Sequence, residues 1–475
     1  MTTLSALPPA TTPAGSVPAE LVDRLRATIE GTVLAAGEPR YVDLVTPWNV
    51  AVTMAPAVVV AARTAADVAA TVRLAGEHGL TVGVQSRGHG ALAALAGDVL
   101  VTTRDLDELE LHADERWVRF GAGLRGADVV AAATPHGLLP LLGSSTDVGV
   151  VGLLTGGGVG PLARTYGLSA DRLRAIEVVT GDGTLRRVTP DDDADLFAAL
   201  RGGKGAAGIV TTVELDLLPL TSFYGGALYF DGADAAAVLH GWRAWSADLP
   251  EEATTSVAIL QLPDAPFVPP PLAGRLSVSL RFAWTGDPGV GARYLEPVRG
   301  LGRLLLDDVA DKPVAALDSV HADPVDPLPG LDAATLLREL PAEAVDTVLA
   351  LAGPGSHSPQ LIVELRRLGG ALGRPGRHRS AFVHRAAEYS VFSVGIAMDP
   401  RVAGHGAAFV SAMEPWSTGG VWPNYGTAYD ATSARRAYDQ PTLDLLAAVV
   451  DRVDPAGVLV GGAPFRTLTG DPARP

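Results

Sequence analysis

Two glycine-rich stretches in the first half of the chain constrain its fold more than any other feature. The first covers residues 85–90, directly after the apolar run of residues 80–84, and the second covers residues 143–160. Glycine lets the backbone adopt unusual dihedral angles, and successive backbone N–H groups in such a loop can surround an anion. Both stretches have the composition of a loop that meets a large anionic ligand, although an ordinary strand-to-helix turn would also explain the first one.

Other glycine-containing and catalytic patterns are weaker. Residues 158–163 match the dinucleotide fingerprint G-x-G-x-x-A, and the acidic Asp182 follows near the expected distance. However, Asp182 lies in the Asp-Gly tip of a predicted hairpin and no repeated strand–helix–strand units follow, which disfavours a Rossmann fold. The sequence has no G-x-S-x-G elbow, no Walker-type phosphate loop and no H-E-x-x-H motif, and we predict no metal site.

Composition and charge exclude several classes of protein. The 475 residues are 47% hydrophobic and 19% charged, which predicts two or three folding units with buried cores. The net charge of −16 disfavours a nucleic-acid partner, and no uninterrupted apolar stretch approaches the roughly 20 residues of a membrane span. The chain has no cysteine, which excludes disulfides and thiol nucleophiles. Residues 1–16 lack the features of a signal peptide, so we expect a cytoplasmic protein of undetermined oligomeric state.

Changes in composition along the chain predict its organisation. Glycine loops alternate with short strands up to residue 220, and beyond that point the predicted strands and helices become longer, including a helix over residues 334–339. The last 60 or so residues return to Gly, Pro and Asn. The predicted segments are an N-terminal disordered tail (1–16) with a following helix (together 1–34), a ligand-binding domain (35–220), a second domain (221–413) and a returning C-terminal segment (414–475).

A set of short motifs spread over residues 40–466 resembles one known family. The motifs lie at residues 48–49, 56–59, 86–90, 145–149, 155–160, 166–168, 201–205, 208–211, 368–371, 381–385, 422–425 and 454–455. In combination they resemble the FAD-linked oxidases of the vanillyl-alcohol-oxidase/PCMH superfamily, and specifically the berberine-bridge-enzyme-like (BBE-like) branch. The resemblance implies an α+β fold. Residues 35–220 would form a PCMH-type FAD-binding domain of two α+β subdomains, and residues 221–413 a substrate domain with an antiparallel sheet covered by helices.

The resemblance also implies where FAD, the expected cofactor, would bind. His89 matches the histidine that attaches covalently to the flavin 8α-methyl group, and the backbone N–H groups of residues 86–90 would hold the pyrophosphate. Asn424 and Tyr425 would face the flavin from the C-terminal segment. The other residues that the resemblance places around FAD are Ser86, Arg87, Gly88, Gly90, Ser144, Ser145, Asp147, Gly149, Gly152, Gly156, Gly158, Gly208, Ile209 and Val210.

Two departures from the family pattern bear on the chemistry. Ser145 stands where many relatives carry a Cys that forms a second covalent link, so at most one link to the flavin is expected. Trp422 stands where the family has a Tyr that serves as the proton-abstracting base or lies beside it, and an indole cannot take that role.

A replacement for that base must come from elsewhere in the chain. Tyr425 is the first candidate, Tyr389 the second and Glu388 the third. A phenol has a pKa near 10, so a tyrosine base needs a neighbouring cation that lowers its pKa, and His384 or Arg385 would supply that charge.

The function that the resemblance implies is an FAD-dependent oxidase. It would oxidise an alcohol or related centre of a sugar, a polyketide or another natural product, with hydride passing to flavin N5 and electrons to O2. Its expected partners are a small-molecule substrate and O2, without nucleic acid or membrane. Because the base position is altered, a flavin-binding catalyst without redox turnover, such as a cyclase of secondary metabolism, is the alternative. A flavin-free binding protein is the third possibility.

Overall fold

The computed structural model describes residues 17–426 and 428–469, and the predicted disordered tail (1–16) lies outside the described residues. Three β-sheets organise the described chain. The helices that pack on and between these sheets are α1 (Ala19–Thr28), α2 (Tyr41–Val45), α3 (Ala65–Glu77), α4 (Gly126–Ala133), α5 (Val150–Thr155), α6 (Ala163–Tyr166), α7 (Ala194–Leu200), α8 (Ala235–Ser246), α9 (Pro288–Leu295), α10 (Ala342–Ala352), α11 (Arg401–Ala412), α12 (Ala431–Ala437), α13 (Gln440–Val453) and α14 (Ala463–Thr469).

The first sheet presents the first glycine loop at its edge. Its strands are β1 (Thr32–Ala35), β2 (Val58–Ala61), β3 (Val82–Gln85) and β4 (Val99–Thr102), in the order β1-β2-β4-β3. β2 and β3 run parallel to β4 and α3 connects them, which confirms the predicted strand–helix–strand unit. α3 begins at a capping box made by Thr64 and Asp67, and Gly79 follows it with a φ of +67°.

The second sheet is antiparallel and supports the second glycine loop. Its strands are β5 (Leu109–His112), β6 (Trp117–Gly121), β7 (Leu138–Pro140), β8 (Leu173–Val179), β9 (Leu185–Val188) and β10 (Ile209–Pro219). β10 lies at its centre, between β6 and β8, and also pairs with β7. The predicted β8–β9 hairpin is confirmed, with Gly183 at a φ of +73° in its turn. One hydrophobic core joins the first and second sheets.

The third sheet is the largest and forms the second part of the molecule. Its strands are β11 (Ser222–Asp231), β12 (Ala253–Gln261), β13 (Leu276–Trp284), β14 (Leu304–Asp307), β15 (Ala310–Pro313), β16 (Gly330–Leu337), β17 (Gln360–Arg367) and β18 (Tyr389–Ile396). All pairings in it are antiparallel, in the order β14-β11-β13-β12-β17-β18-β16, with β15 beside β11. The fold is therefore α+β, with two smaller sheets and one large antiparallel sheet covered by helices.

The two faces of the third sheet differ in chemistry because successive side chains of a strand point to opposite faces. One face is apolar and packs on α8 and α10, with Leu280, Val363, Leu365 and Val391 in a core around the buried Trp242. We call the opposite side the inner face, because it lies towards the first two sheets. The inner face carries Ser256, Arg281, Glu364, Arg366 and Phe392, which are cross-strand neighbours in the register.

The predicted helix over residues 334–339 is wrong. These residues lie largely in β16, which pairs with β18 from Gly330 opposite Ile396 to Leu337 opposite Tyr389. Ala, Leu, Arg and Glu favour helix locally, but Leu337 is buried in the helix-covered core while Leu336 is buried at the other face. Burial on both faces of a sheet has overridden local propensity here.

The C-terminal segment returns to the first two sheets. Leu446 and Phe465, from α13 and α14, lie in the same hydrophobic core as the strands of the first sheet. The buried Asp454 accepts backbone hydrogen bonds from residues 458 and 459, both at 2.9 Å, and forms an ion pair with Arg466. Residue 459 also forms a β-bridge with the start of β3, so the last helices are fixed beside the strand that leads into loop 86–90.

Candidate functional site

The loop of residues 86–90 is held in one tight conformation. Gly88 has a φ of +82°, and a methyl group on it would stand 2.5 Å from Cβ of Pro47. The backbone N–H of Trp48 donates to the carbonyl of Arg87 at 2.9 Å. Ser86 Oγ donates to the carbonyl of Ala122 at 2.9 Å. Both a positive φ and a close backbone approach therefore require glycine at position 88.

His89 in this loop is packed against an aromatic ring and near a carboxylate. Its ring stacks on Trp48, with 4.3 Å between ring centroids and 15° between the planes, and its Nε2 lies 3.9 Å from Asp147 Oδ2. Among the described residues neither ring nitrogen has a hydrogen-bond partner. Burial lowers the pKa of His89 to about 4, against the opposing effect of Asp147. The imidazole is therefore neutral near pH 7, with a nitrogen free to act as a nucleophile.

The second glycine stretch lies directly against the first. A methyl group on Gly149 would stand 3.1 Å from Ser86 Oγ. Asp147, which faces His89, is held by Arg125 at 3.1 Å, and its backbone N–H donates to Ser145 Oγ at 3.3 Å. The structure thus brings together two loops that are far apart in the sequence.

The C-terminal segment closes over these loops through Asn424. Asn424 Nδ2 donates to the carbonyl of Leu153 at 3.0 Å, and a methyl group on Gly156 would stand 2.0 Å from Asn424 Oδ1. Lys204 Nζ donates to the same Oδ1 at 2.6 Å. Nothing lies within 4 Å of the position that a methyl group on Gly152 would take, so the backbone there borders open space.

The other predicted cofactor residues have a different setting. A methyl group on Gly158 would stand 2.7 Å from Cβ of Ser169, and one on Gly208 would stand 2.3 Å from Val178. Ile209 and Val210 are buried in β10. Close packing within the protein accounts for these residues, and their contact with FAD stays a prediction.

The structure separates the three predicted bases. Tyr425 lies at the inner face, where its ring is 4.9 Å from that of Phe392. Burial raises the pKa of Tyr425 to about 12. The expectation that His384 or Arg385 lowers this pKa is wrong. His384 bonds to the carbonyl of Ala437, and Arg385 pairs with Asp171. Arg366 is the cation that acts on Tyr425, and its lowering effect is smaller than that of burial.

Tyr389 and Glu388 both lie beside Arg367, and their role as bases stays a prediction. Tyr389 lies on the helix-covered face of the third sheet, with its ring centroid 6.2 Å from that of Trp242. Arg367 stands over the same ring at 4.9 Å and pairs with Glu388 at 2.9 Å. The side-chain alternation of β18 directs Tyr389 into the core.

A buried ionic cluster on the inner face was not found from the sequence. Arg281 Nη1 pairs with Glu364 Oε1 at 2.8 Å, and Arg366 Nη2 pairs with Glu364 Oε2 at 3.2 Å. Arg366 Nη2 also lies 2.9 Å from His321 Nε2 and donates to Ser144 Oγ at 3.1 Å. The two arginines hold the pKa of Glu364 well below its usual value despite burial, whereas burial lowers the pKa of His321. The available signal was the alternation of charged and apolar residues in β17.

The motif at residues 48–49 connects the two glycine-rich loops, residues 86–90 and 143–160, to the third sheet. We call these two loops the cofactor loops. Trp48 Nε1 donates to the carbonyl of Val325 at 2.9 Å, and Asn49 Nδ2 donates to the carbonyl of Gly330 at 3.0 Å. Thr146, in the second glycine stretch, donates to Asp318 at 2.7 Å. Segment 318–330 therefore covers the boundary between the loops and the inner face.

A cavity of about 670 Å³ lies between α11, the edge strand β16 and the C-terminal segment. Among the residues that line it are Lys204, Asp332, Trp422 and Tyr425. Its volume is that of a small-molecule site. Within residues 17–426 and 428–469, no helix is long and apolar enough to cross a bilayer. The same residues contain no cluster of three potential metal ligands.

The residues present fit FAD. The glycine loops supply backbone that a long anionic ligand can approach, and open space borders Gly152. His89 supplies a neutral imidazole with no partner among the described residues. A buried polar atom without a partner calls for an explanation, and a bound cofactor provides one.

Comparison with known proteins agrees with this geometry. The family model described as "FAD binding domain" matches residues 56–189. The chain is 26% identical to (R)-6-hydroxynicotine oxidase of Paenarthrobacter nicotinovorans over 448 residues, which is 90% of this chain and 95% of that protein. It superposes on the crystal structure of 6-hydroxy-D-nicotine oxidase from Arthrobacter nicotinovorans with a TM-score of 0.77 at 22% identity, covering 91% of this chain and 96% of that one. For the Physcomitrella patens protein BBE-like 1 the TM-score is 0.79 at 18% identity, covering 92% and 97%. We conclude that the chain is an FAD-linked oxidoreductase with the BBE-like fold.

Proposed function

We propose that this protein oxidises an alcohol or related centre of a small molecule, such as a sugar, a polyketide or another natural product, with O2 as the electron acceptor. Bound FAD would accept two electrons from the substrate and pass them to O2. The observation that carries the proposal is the 3.1 Å contact between Arg366 and Ser144, because it sets the inner face against the glycine loop beside His89. A small molecule bound between them would contact the inner-face side chains on one side and the flavin on the other.

We further propose that His89 carries the flavin covalently. His89 would supply a neutral imidazole nitrogen that bonds to the 8α-methyl carbon, while a C–H proton of that methyl group is lost and the two electrons pass through the flavin to O2; the low pKa of His89 supports the neutral form. The carboxylate of Asp147, 3.9 Å from Nε2, would stabilise positive charge that develops on the ring during attack. Ser145 offers no thiol for a second link.

For the proton acceptor we propose Asp332 in place of the tyrosines. Asp332 lies in β16 opposite Val394, on the same side as Phe392, and accepts the backbone N–H of Gly426 at 3.0 Å. Burial raises the pKa of Asp332 above its usual value, which brings a carboxylate closer to the range of an effective base. Tyr425, with its pKa near 12, would stay protonated and donate a hydrogen bond to the substrate.

The first experiment is the visible absorption spectrum of the purified protein before and after acid precipitation. A flavin band that stays with the pellet supports the tether, and His89→Ala should release it into the supernatant. A wild-type band that washes out contradicts the covalent link and leaves a dissociable FAD enzyme.

Substrate oxidation needs its own readout. Candidate alcohols that bleach the flavin band without oxygen, and release peroxide when air is admitted, support the oxidase. Trp422 at the family's usual base position keeps the non-redox catalyst as a second candidate, because an indole does not abstract a proton. Conversion of a substrate without bleaching would favour that candidate. The cytoplasmic location stays a prediction.

A further inference from the structure

Lys204 stands out because it is placed among the cofactor loops without a role in the site described above. Its Nζ donates to Asn424 Oδ1 at 2.6 Å and lies 3.5 Å from the carbonyl of Gly152. A methyl group on Gly90 would stand 3.5 Å from the same nitrogen. The ammonium therefore lies where loop 86–90, helix α5 and the C-terminal segment meet.

The backbone at Lys204 is in a conformation that usually selects glycine. Its φ is +55°, between Gly203 and Gly205, and its N–H donates to the carbonyl of Thr155 at 2.9 Å. Left-handed backbone costs a residue with a side chain roughly 1–2 kcal/mol, and such strain concentrates at functional sites. The chain has only two lysines in 475 residues, Lys204 and Lys312. A lysine in strained backbone calls for a reason that the local fold does not supply.

The charge on Lys204 is not balanced by the protein around it. No carboxylate in residues 17–426 or 428–469 forms an ion pair with it, and its two partners are neutral oxygens. The side chain is only partly exposed, and it borders the 670 Å³ cavity. A desolvated ammonium beside neutral oxygens is unfavourable unless an anion completes its environment. The lowered pKa of Lys204, about 8, has burial as its cause and agrees with this picture.

We propose that Lys204 forms an ion pair with the diphosphate of bound FAD. The diphosphate is the permanent anion of FAD, whereas the isoalloxazine ring gains negative charge only on reduction. Loop 86–90, which is expected to hold the diphosphate through backbone N–H groups, lies beside Lys204 Nζ at Gly90. Backbone donors and one ammonium together would neutralise the group. Asn424 orients the ammonium, so the C-terminal segment acts on the cofactor through Lys204.

The test measures FAD affinity in a His89→Ala background, where the cofactor can dissociate. Lys204→Met should weaken FAD binding about ten- to hundredfold, the effect of losing one charge-assisted hydrogen bond. Lys204→Arg should recover part of that loss. Lys312→Met is the matched control and should leave affinity unchanged, because Lys312 pairs with Asp308 at 2.6 Å in the third sheet. Unchanged affinity in Lys204→Met, with FAD still bound by the parent, would overturn the ion pair while leaving the oxidase intact.

Two further measurements separate the alternatives. The midpoint potential of the flavin that remains bound should not change in Lys204→Met. A lower potential at unchanged FAD affinity would mean that Lys204 contacts the isoalloxazine ring instead of the diphosphate, and it would overturn the proposal. If Lys204→Met does not fold, acylation of lysine amines in the His89→Ala protein decides. Excess FAD should slow modification of Lys204 and leave Lys312 unaffected, and equal rates at Lys204 with and without FAD would exclude the contact.

Discussion

The cofactor loops and the inner face of the third sheet are built in opposite ways. Each cofactor loop is a short stretch of sequence whose backbone forms the surface, and Gly88 and Gly156 are needed because neighbouring atoms leave no room for a side chain. The inner-face cluster consists of side chains from β13, β17 and residue 321. A site formed by backbone can be recognised from one short stretch of sequence. A site formed by side chains of several strands depends on how those strands pair.

The largest expected effect that sharpens this comparison is on the inner side, at Asp332. Asp332→Asn should lower kcat by a factor of about 10²–10⁴, because it removes the proposed proton acceptor, and leave the flavin spectrum unchanged. The pKa of Asp332 is raised, so kcat of the parent should fall as pH drops through that raised pKa and the carboxylate protonates. The Asn variant should lack this acidic limb. Asp326→Asn, at an exposed position earlier in the sequence, is the control, and equal kcat in both variants would remove Asp332 from the reaction.

A smaller loss is expected at Arg366, and its sequence neighbour provides the control. Arg366→Met should lower kcat/KM roughly ten- to hundredfold, because the guanidinium lies between Glu364 and the cofactor loop. Arg367→Met, on the helix-covered face, should change kcat/KM less than about threefold. Steady-state kinetics on both variants, with melting temperatures to detect a destabilised core, measures the difference. Equal losses of kcat/KM in the two variants would mean that the inner face has no special role in the reaction.

On the cofactor side, Gly88→Ala should weaken FAD binding about tenfold, equivalent to about 1.4 kcal/mol. The added methyl group would stand 2.5 Å from Pro47 and must displace the loop. Gly37→Ala is the matched control, because Gly37 also has a positive φ, +89°, but nothing lies within 4 Å of the added methyl group. We expect Gly37→Ala to lower the free energy of unfolding by about 1 kcal/mol and to leave FAD affinity unchanged. FAD titration in the His89→Ala background distinguishes them, and similar FAD losses would show that strain alone limits the loop.

The smallest expected difference is between two tyrosines. Tyr425→Phe should lower kcat/KM about two- to tenfold by removing one hydrogen-bond donor, without changing the shape of the pH profile. Tyr389→Phe should stay within about twofold, because Tyr389 packs against Trp242. A loss of a hundredfold or more in Tyr425→Phe, together with loss of a basic limb, would restore Tyr425 as the base.

The sequence predicted the α+β fold and both glycine loops, because these depend on local glycine patterns and on the family resemblance. It placed His89 in a loop, but its stacking on Trp48 and its low pKa depend on burial that only the folded chain creates. The helix predicted over residues 334–339 is wrong for a similar reason: pairing with β18, which the local sequence does not show, makes these residues a strand. Lys204 lies within the motif at residues 201–205, but nothing in the local sequence shows that its ammonium lacks an anionic partner among the described residues.

The return of the C-terminal segment fixes the order in which the site can be completed during synthesis. Asn424 packs on Gly156 and holds Lys204, and residues 458–459 bind the buried Asp454 beside β3. A chain still emerging from the ribosome has made both glycine loops long before it has made these contacts. The site is therefore completed only after residues 424–459 have been made. A ribosome stalled shortly before residue 424 would present both loops without the side chain that closes them, and premature loading with flavin would be disfavoured.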